Sequence, residues 1–512
     1  MTDFDSIELG LFASRIEAIC EEMGAQLRRS AFSPNIRDRL DYSCAVFDAR
    51  GALCAQAAHI PVHLGSMAYA MRDIVGGFDW REGDQVILND PFLGGTHLPD
   101  VTVIAPVFVD GERVGFVANR AHYADIGAVS PGSMPLSRSI HEEGVLIPPQ
   151  RICRAGEVDQ AAVDAIVGRT RNAADTLGDL QAQLACNRRG VERLAALAAS
   201  MPGRYELALE ALNAYAERLA RGLLKRLKPG VYRCDDVMES DGAGATMIPV
   251  AVTVTISADR LRVDFTGTAG QVAGNINAPL PVTAAAVWYV FRCLLPDQTP
   301  ACAGCFRPIE IVAPPGSLLN ARSPAAVAAG NVETSSRVVD VLLGALARAL
   351  PEEIPAASQG TMNNFAFGSD HGQAWGYYET LGGGMGAGAR HPGLSAVQSH
   401  MTNTRNTPVE VLEMRDPVRV LRYAIRRGSG GAGRHRGGDG LVREYQFTEP
   451  VSVTFLTERR ETRPRGLAGG QPGATGENRL NGDRVSAKCE ISVAAGDRVT
   501  IRTPGGGGWG EP

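Results

Sequence analysis

Lysine is nearly absent from this 512-residue chain: Lys225, Lys228 and Lys488 stand against 48 arginines. The scarcity is most simply a compositional bias of the genome, yet it removes chemistry. No GxxxxGK[ST] phosphate loop occurs, and no lysine is placed for a Schiff base. A GxSxG nucleophile elbow is missing as well. Charge of one sign is not in excess. The net charge is −5, which gives no reason to expect nucleic-acid or anionic-membrane binding. Long apolar runs are also lacking, since the longest, residues 282–291, is about half of what a bilayer crossing needs. The opening MTDFDSIELG has no basic segment leading into an apolar one, so a cytoplasmic chain with reduced thiols is expected. Ten cysteines are scattered. The one close pair, Cys302 and Cys305, has redox or zinc spacing but no second CxxC partner, and is read as ordinary buried thiols.

Glycine, at 59 residues, and proline, at 30, are plentiful, without a collagen period, a 20–50-residue repeat or a low-complexity tract. Phe12, Ile16, Ile19, Met23 and Leu27 recur at helical steps and predict an amphipathic helix over 6–30. Two further stripes, Leu177 to Leu197 and Leu212 to Leu227, are broken at Met201-Pro-Gly and stopped at Lys228-Pro-Gly. Strand signals follow at 252–256 and 261–265, and again at 451–456. An apolar helix is expected over 282–295 and another over 337–350. The fold class expected is mixed α/β (α+β) and multi-lobed. The divisions are an N-terminal metal-site lobe (1–158), a helical segment (159–229), a central α/β lobe (230–355) and a Gly-rich, β-containing C-terminal lobe (356–512).

Five of the nine histidines fall within the first 141 residues. Around them, Asn89-Asp-Pro-Phe-Leu-Gly-Gly-Thr-His-Leu-Pro-Asp100 precedes an apolar run, a turn signal at Asp110-Gly111 and a second run ending in Ala121-His-Tyr-Ala-Asp125. Counting outward from that turn sets position 100 opposite 121, which brings His97, Asp100 and His122 to one end of the ribbon. Pro106 argues for an edge strand or a bulge. Two imidazoles and a carboxylate with water positions left open suit Zn, Mn or Fe. Asp41 offers a flanking carboxylate, and His59 and His63 offer imidazoles. Pro61 keeps those two from being a helical ligand pair. Asp125 is a candidate to orient His122 or a water. Two GxGxxG matches, 428–433 and 505–510, lead into no helix and are read as close backbone approach rather than dinucleotide loops. The basic run 422–427 is read as a solvated face or subunit contact.

These residues carry a resemblance. NDPFLGGTHLPDVTVIAPVF followed by AHYADIG resembles the hydantoinase B/oxoprolinase family. So do DYSCAVFDARG, HIPVHLGSM, GDLQAQLACNRRG, DFTGTAGQVAGNINAP, YYETLGGGMGAG, NTRNTPVEVLE and TPGGGGWG. Phe92 and Ala303 depart from the commonest pattern, where Tyr and Asn are frequent. The resemblance implies a hetero-oligomer in which a hydantoinase A-type ATPase subunit, carrying ATP and Mg, phosphorylates a small cyclic amide. The B-type chain then completes the ring opening with one divalent metal, Zn or Mn or else Fe. It maps the metal ligands onto His97, Asp100 and His122, with Asp41 as an additional ligand. His63 or Asp125 is expected to shuttle the proton. Two rival readings remain: a subunit of an ATP-dependent ketone carboxylase, and a non-catalytic scaffold for the ATPase subunit.

Overall fold

A computed structural model describes residues 4–57, 60–63, 65–372 and 374–512, and among them four β-sheets are packed with helices into a mixed α/β architecture. The first helix is Ser6–Ser30, the span read from its apolar stripe. Asp5 caps it, its carboxylate accepting from Ile7 N and Glu8 N, both at 2.8 Å. The stripe packs on one face of a seven-stranded antiparallel sheet beside the long helix Ala173–Ala199.

That sheet runs, in spatial order, Leu53–Gln56, Tyr42–Asp48, Glu112–His122, Asp100–Val109, Gln85–Leu88, Gln150–Arg154 and Glu157–Val158. Side chains alternate across it as the pleat requires. Cys44, Val46, Val101 and Val103 face the two long helices. Ala45, Phe47, Ile104 and Phe116 face the helix Ser66–Ile74 on the other side. The turn read at Asp110-Gly111 is present, with φ of 50° and 82° at the two residues, as a primed hairpin turn demands.

In this ribbon the register differs from expectation, and the two alternatives for Pro106 are separated. Asp100 pairs with His122 rather than with Ala121, because the register shifts between Val107 and Phe108. Pro106 does not mark an edge, for its strand lies between two others in the sheet. The irregularity sits beside it instead, the other device that accommodates a residue with no N–H to donate.

The helix Tyr205–Arg226 joins two cores: Tyr205, Leu209 and Leu212 pack in the first, and Ala216, Ala220 and Leu223 in the second. The second core lies over a four-stranded sheet of Gly230–Ser240, Thr246–Ile256, Leu261–Asp264 and Ile309–Val312. It encloses the helix Leu280–Leu294, apolar on nearly every side, and the helix Ser335–Leu346. A wide π-type turn, Gly330–Thr334, precedes the latter helix. Two further sheets form the C-terminal part and enclose Phe365, Phe367, Tyr445, Phe447 and Phe455 between them. Lys488, one of the three lysines, is buried here against the Glu458 carboxylate, which also pairs with Arg337 of the second core at 3.3 Å.

The terminal glycines belong to no sheet. A Cβ on Gly505, Gly506, Gly507 or Gly508 would lie 2.0–2.1 Å from the carbonyl oxygen of Ser429, Met385, Arg465 or Ala432, respectively. The first and fourth of these glycines therefore face the same neighbouring segment. That period of three belongs to a polyproline-II-like screw. Their N–H groups donate to Ala474, Gly438, Ala357 and Gln471 at 2.8–3.1 Å. The segment is thus a central rod wrapped by extended chains, and the two glycine motifs touch, Gly431 N donating to Gly506 O at 2.8 Å.

Candidate metal centre

The loop ahead of strand Asp100–Val109 is folded by its own polar residues. Asn89 Nδ2 donates to the carbonyls of Leu98 and Val145, both at 2.8 Å, while its Oδ1 accepts from Ile147 N at 2.7 Å. Gly94 lies so close to the helix Ser66–Ile74 that a Cβ would be 2.2 Å from Ala70 Cα. Its positive φ of 97° likewise calls for glycine. Buried Arg120 pins the loop from the neighbouring strand, donating to Thr102 Oγ1, Ser66 Oγ and Gly94 O at 2.7–3.0 Å.

This folding brings His97, Asp100 and His122 together, 0%, 1% and 3% exposed. His97 Nε2 is 3.2 Å from His122 Nδ1 and 3.2 Å from Asp100 Oδ1, and His122 Nδ1 is 3.0 Å from the same oxygen. A near-equilateral triangle of two nitrogens and one oxygen with such edges matches what a divalent ion roughly 2.0–2.2 Å from each donor would impose. The chemistry of the set, neutral imidazoles with one carboxylate, also fits Zn, Mn or Fe.

The rings are held from behind. His97 Nδ1 donates to Ala328 O at 3.1 Å, which in the neutral imidazole leaves Nε2 without a proton and turned to the triangle. His122 stacks on Tyr378 with centroids 5.1 Å apart, and its backbone N–H donates to Asp41 O at 3.0 Å. Thr96 Oγ1 makes a short hydrogen bond to Asp100 Oδ2, and Asn331 Nδ2 donates to that oxygen at 3.3 Å and to His97 Nε2 at 3.1 Å. Burial works against ionisation of Asp100, but the imidazoles of His97 and His63 and hydrogen bonds from His122 and His63 outweigh it, holding the carboxyl well below its ordinary range. Burial pulls His122 down. His97 ends above its ordinary value because Asp100 more than offsets its burial.

His63 reaches the same carboxylate from the far side, its Nε2 3.3 Å from Asp100 Oδ2 and its Nδ1 3.0 Å from Ser43 Oγ. Asp41 lines the same small cavity of about 20 Å³, with Tyr378, Met362 and Met401. Its carboxylate lies 3.8 Å from the buried Arg39 guanidinium. Asp125 is not brought to the cavity. Its carboxylate accepts from Gly127 N, Ser133 Oγ and Arg171, and so fastens a loop. His59 lies outside the described residues, and His141 sits on an exposed turn. Cys302 and Cys305 are buried thiols.

Asn331 and Thr96 are site residues that sequence reasoning passed over. The approach of Asn331 depends on the π-type turn that carries it, which no local pattern announces.

The profile of the hydantoinase B/oxoprolinase family matches residues 5–512. The chain is 42% identical to 5-oxoprolinase 1 of Arabidopsis thaliana, covering 99% of this chain and 42% of that protein. It therefore spans about two-fifths of the length of the 5-oxoprolinases it matches. The crystal structure of an ATP-dependent caprolactamase from Pseudomonas jessenii superposes with a TM-score of 0.93 at 27% identity, over 100% of this chain and 92% of that one. Nucleotide-free acetone carboxylase superposes with a TM-score of 0.89 at 20% identity, over 99% of this chain and 76% of that one, and shares the fold.

Proposed function

Because the chain belongs to the hydantoinase B/oxoprolinase family, we propose that it is the metal-holding component of an ATP-dependent cyclic-amide hydrolase. The substrate class is a hydantoin, 5-oxoproline or lactam ring, phosphorylated on its carbonyl oxygen by an A-type ATPase portion. In the 5-oxoprolinases the matching region is two-fifths of a longer chain, so that portion is proposed as a module, whichever chain carries it. The observation that carries the reading is the convergence of His97, Asp100 and His122 on one point.

Phosphorylation turns a poor amide electrophile into an imidate-like one, water adds at the ring carbon, the ring nitrogen departs as the amine to leave an acyl phosphate, and a second water releases phosphate and the carboxylate. His97, Asp100 and His122 would hold a divalent ion that supplies Lewis acidity and lowers the pKa of water. Asn331 and Thr96 keep Asp100 oriented through its other oxygen. His63, fixed by Ser43 and by its hydrogen bond to Asp100 Oδ2, is the group placed to carry the proton of the attacking water to the ring nitrogen. Tyr378, Met362 and Met401 close the cavity and exclude bulk water.

The test is to combine the purified chain with an A-type ATPase portion and offer lactam, 5-oxoproline and hydantoin rings with ATP. Ring opening coupled to phosphate release supports the reading. Bicarbonate-dependent carboxylation of a ketone, with no ring-dependent phosphate release, would overturn it in favour of the carboxylase alternative. Metal-free protein that sustains full activity would favour a scaffold.

A further inference from the structure

Glu143 is fully buried, and its hydrogen bonds go to Ser137 and to the Val327–Ala328 main chain, none of them to His97, Asp100 or His122. Its Oε1 accepts three hydrogen bonds: from Ser137 Oγ at 2.6 Å, Val327 N at 2.8 Å and Ala328 N at 2.9 Å. The next peptide group along the chain is Ala328 C=O joined to Ala329 N–H. The carbonyl accepts from His97 Nδ1 at 3.1 Å, and the N–H donates to Asn275 O at 3.0 Å. A buried carboxylate at one end, two consecutive amides and an imidazole at the other form a continuous chain of contacts. A carbonyl cannot donate, so its partner nitrogen must carry the proton.

We propose that Glu143 is a positioning residue that sets the Nδ1–H tautomer and ring angle of His97 by holding the Val327–Ala328 main chain. Withdrawing the carboxylate would strand two buried N–H groups. The segment would then turn to find other partners, and the Ala328 carbonyl would leave His97 free to protonate at Nε2, the atom that faces the ligand triangle. The role resembles that of the carbonyls and carboxylates behind metal-bound histidines in general, with a peptide group interposed. The inference rests on the reading of His97 as a metal ligand.

The experiment uses the full chain with ¹⁵N-labelled histidine, first metal-free and then with Zn²⁺ alone, at pH 8. Burial pushes the Glu143 carboxyl up to about 7, so this pH keeps it ionised. In the unsubstituted protein His97 is expected as the Nδ1–H tautomer. Glu143→Ala should give a mixture with the Nε2–H form, and Zn²⁺ affinity in chelator competition should fall about 10- to 100-fold. Glu143→Gln keeps an oxygen for the two N–H donors and should retain the tautomer, with a smaller loss of affinity. Should the alanine variant not fold, Glu143→Asp withdraws the carboxylate by one methylene while keeping its charge, and should behave like alanine. Wild-type tautomer and affinity in the folded Ala or Asp variant would overturn the proposal. Failure of the unsubstituted protein to bind Zn²⁺ would count against the metal centre itself, and is read separately from the tautomer.

Discussion

Asp100 and His122 face one another across the antiparallel ladder, and the imidazole Nδ1 lies 3.0 Å from the carboxylate oxygen. A one-residue register shift near the hairpin turn creates that pairing. Without it Asp100 would face Ala121, and the imidazole would point to the opposite face of the sheet. The centre is therefore built into main-chain geometry, and its members are expected to fail together.

Asp100→Asn removes the charge from the triangle while keeping its shape. It should lose stoichiometric metal, measured by elemental analysis of protein purified in excess Zn²⁺ or Mn²⁺, and lower ATP-dependent ring opening by at least ~10²-fold. His97→Ala should do the same. Retained metal with full activity in either variant would exclude this site.

His63 and Asp125 should separate cleanly. His63→Gln is expected to keep metal and to lower kcat by about 10²-fold. Asp125→Asn loosens the contacts to Arg171, Ser133 and Gly127, so thermal unfolding should reveal a loss of roughly 1–3 kcal/mol with kcat unchanged. The reverse pattern would restore Asp125 as the proton carrier.

Glu333 is buried, and burial first, then the Glu458 charge, push its carboxyl up from 4.5 to about 7. The folded protein binds this proton more tightly than the unfolded chain does. Its stabilising effect is complete below about 4.5 and is lost as pH rises towards 7. Glu333→Gln should therefore show a smaller fall in Tm between pH 5.5 and pH 8 than the unsubstituted protein, by fluorimetry at fixed ionic strength. An identical slope in both proteins would contradict the raised value.

Two glycines should respond oppositely to alanine. At Gly506 a Cβ would meet Met385 O at 2.1 Å, and the loss should be roughly 1–3 kcal/mol or more. At Gly222, inside the helix Tyr205–Arg226 with nothing within 4 Å, the same change should stabilise by about 0.5–1 kcal/mol. Chemical denaturation distinguishes the two.

Much of this was legible in the residues. The helix Ser6–Ser30 follows its apolar stripe, the Asp110-Gly111 turn its dipeptide, and the strand Val451–Leu456 its alternation, because each is set by neighbours a few positions away. His97, Asp100 and His122 were within reach for the same reason, since one hairpin unites them. Asn331 and Glu143 were not. Their partners lie on distant segments, and neither a helix start nor a glutamate after a histidine announces where tertiary packing will place it. Asp125 illustrates the converse: close in sequence to His122, it turns away to Arg171.

The glycine rod at 505–508 bears on how the protein reaches this structure. Its partners, at Ala357, Met385, Ser429 and Arg465, are spread along the preceding chain, and it has no side chains with which to collapse early. Loop-closure entropy must be met for several segments before the amide bonds between them give anything back. The rod can only be threaded late, in a step that completes the C-terminal part all at once. Until then the extended segments that wrap it are left without their amide partners, and incompletely paired segments of this kind are prone to aggregate.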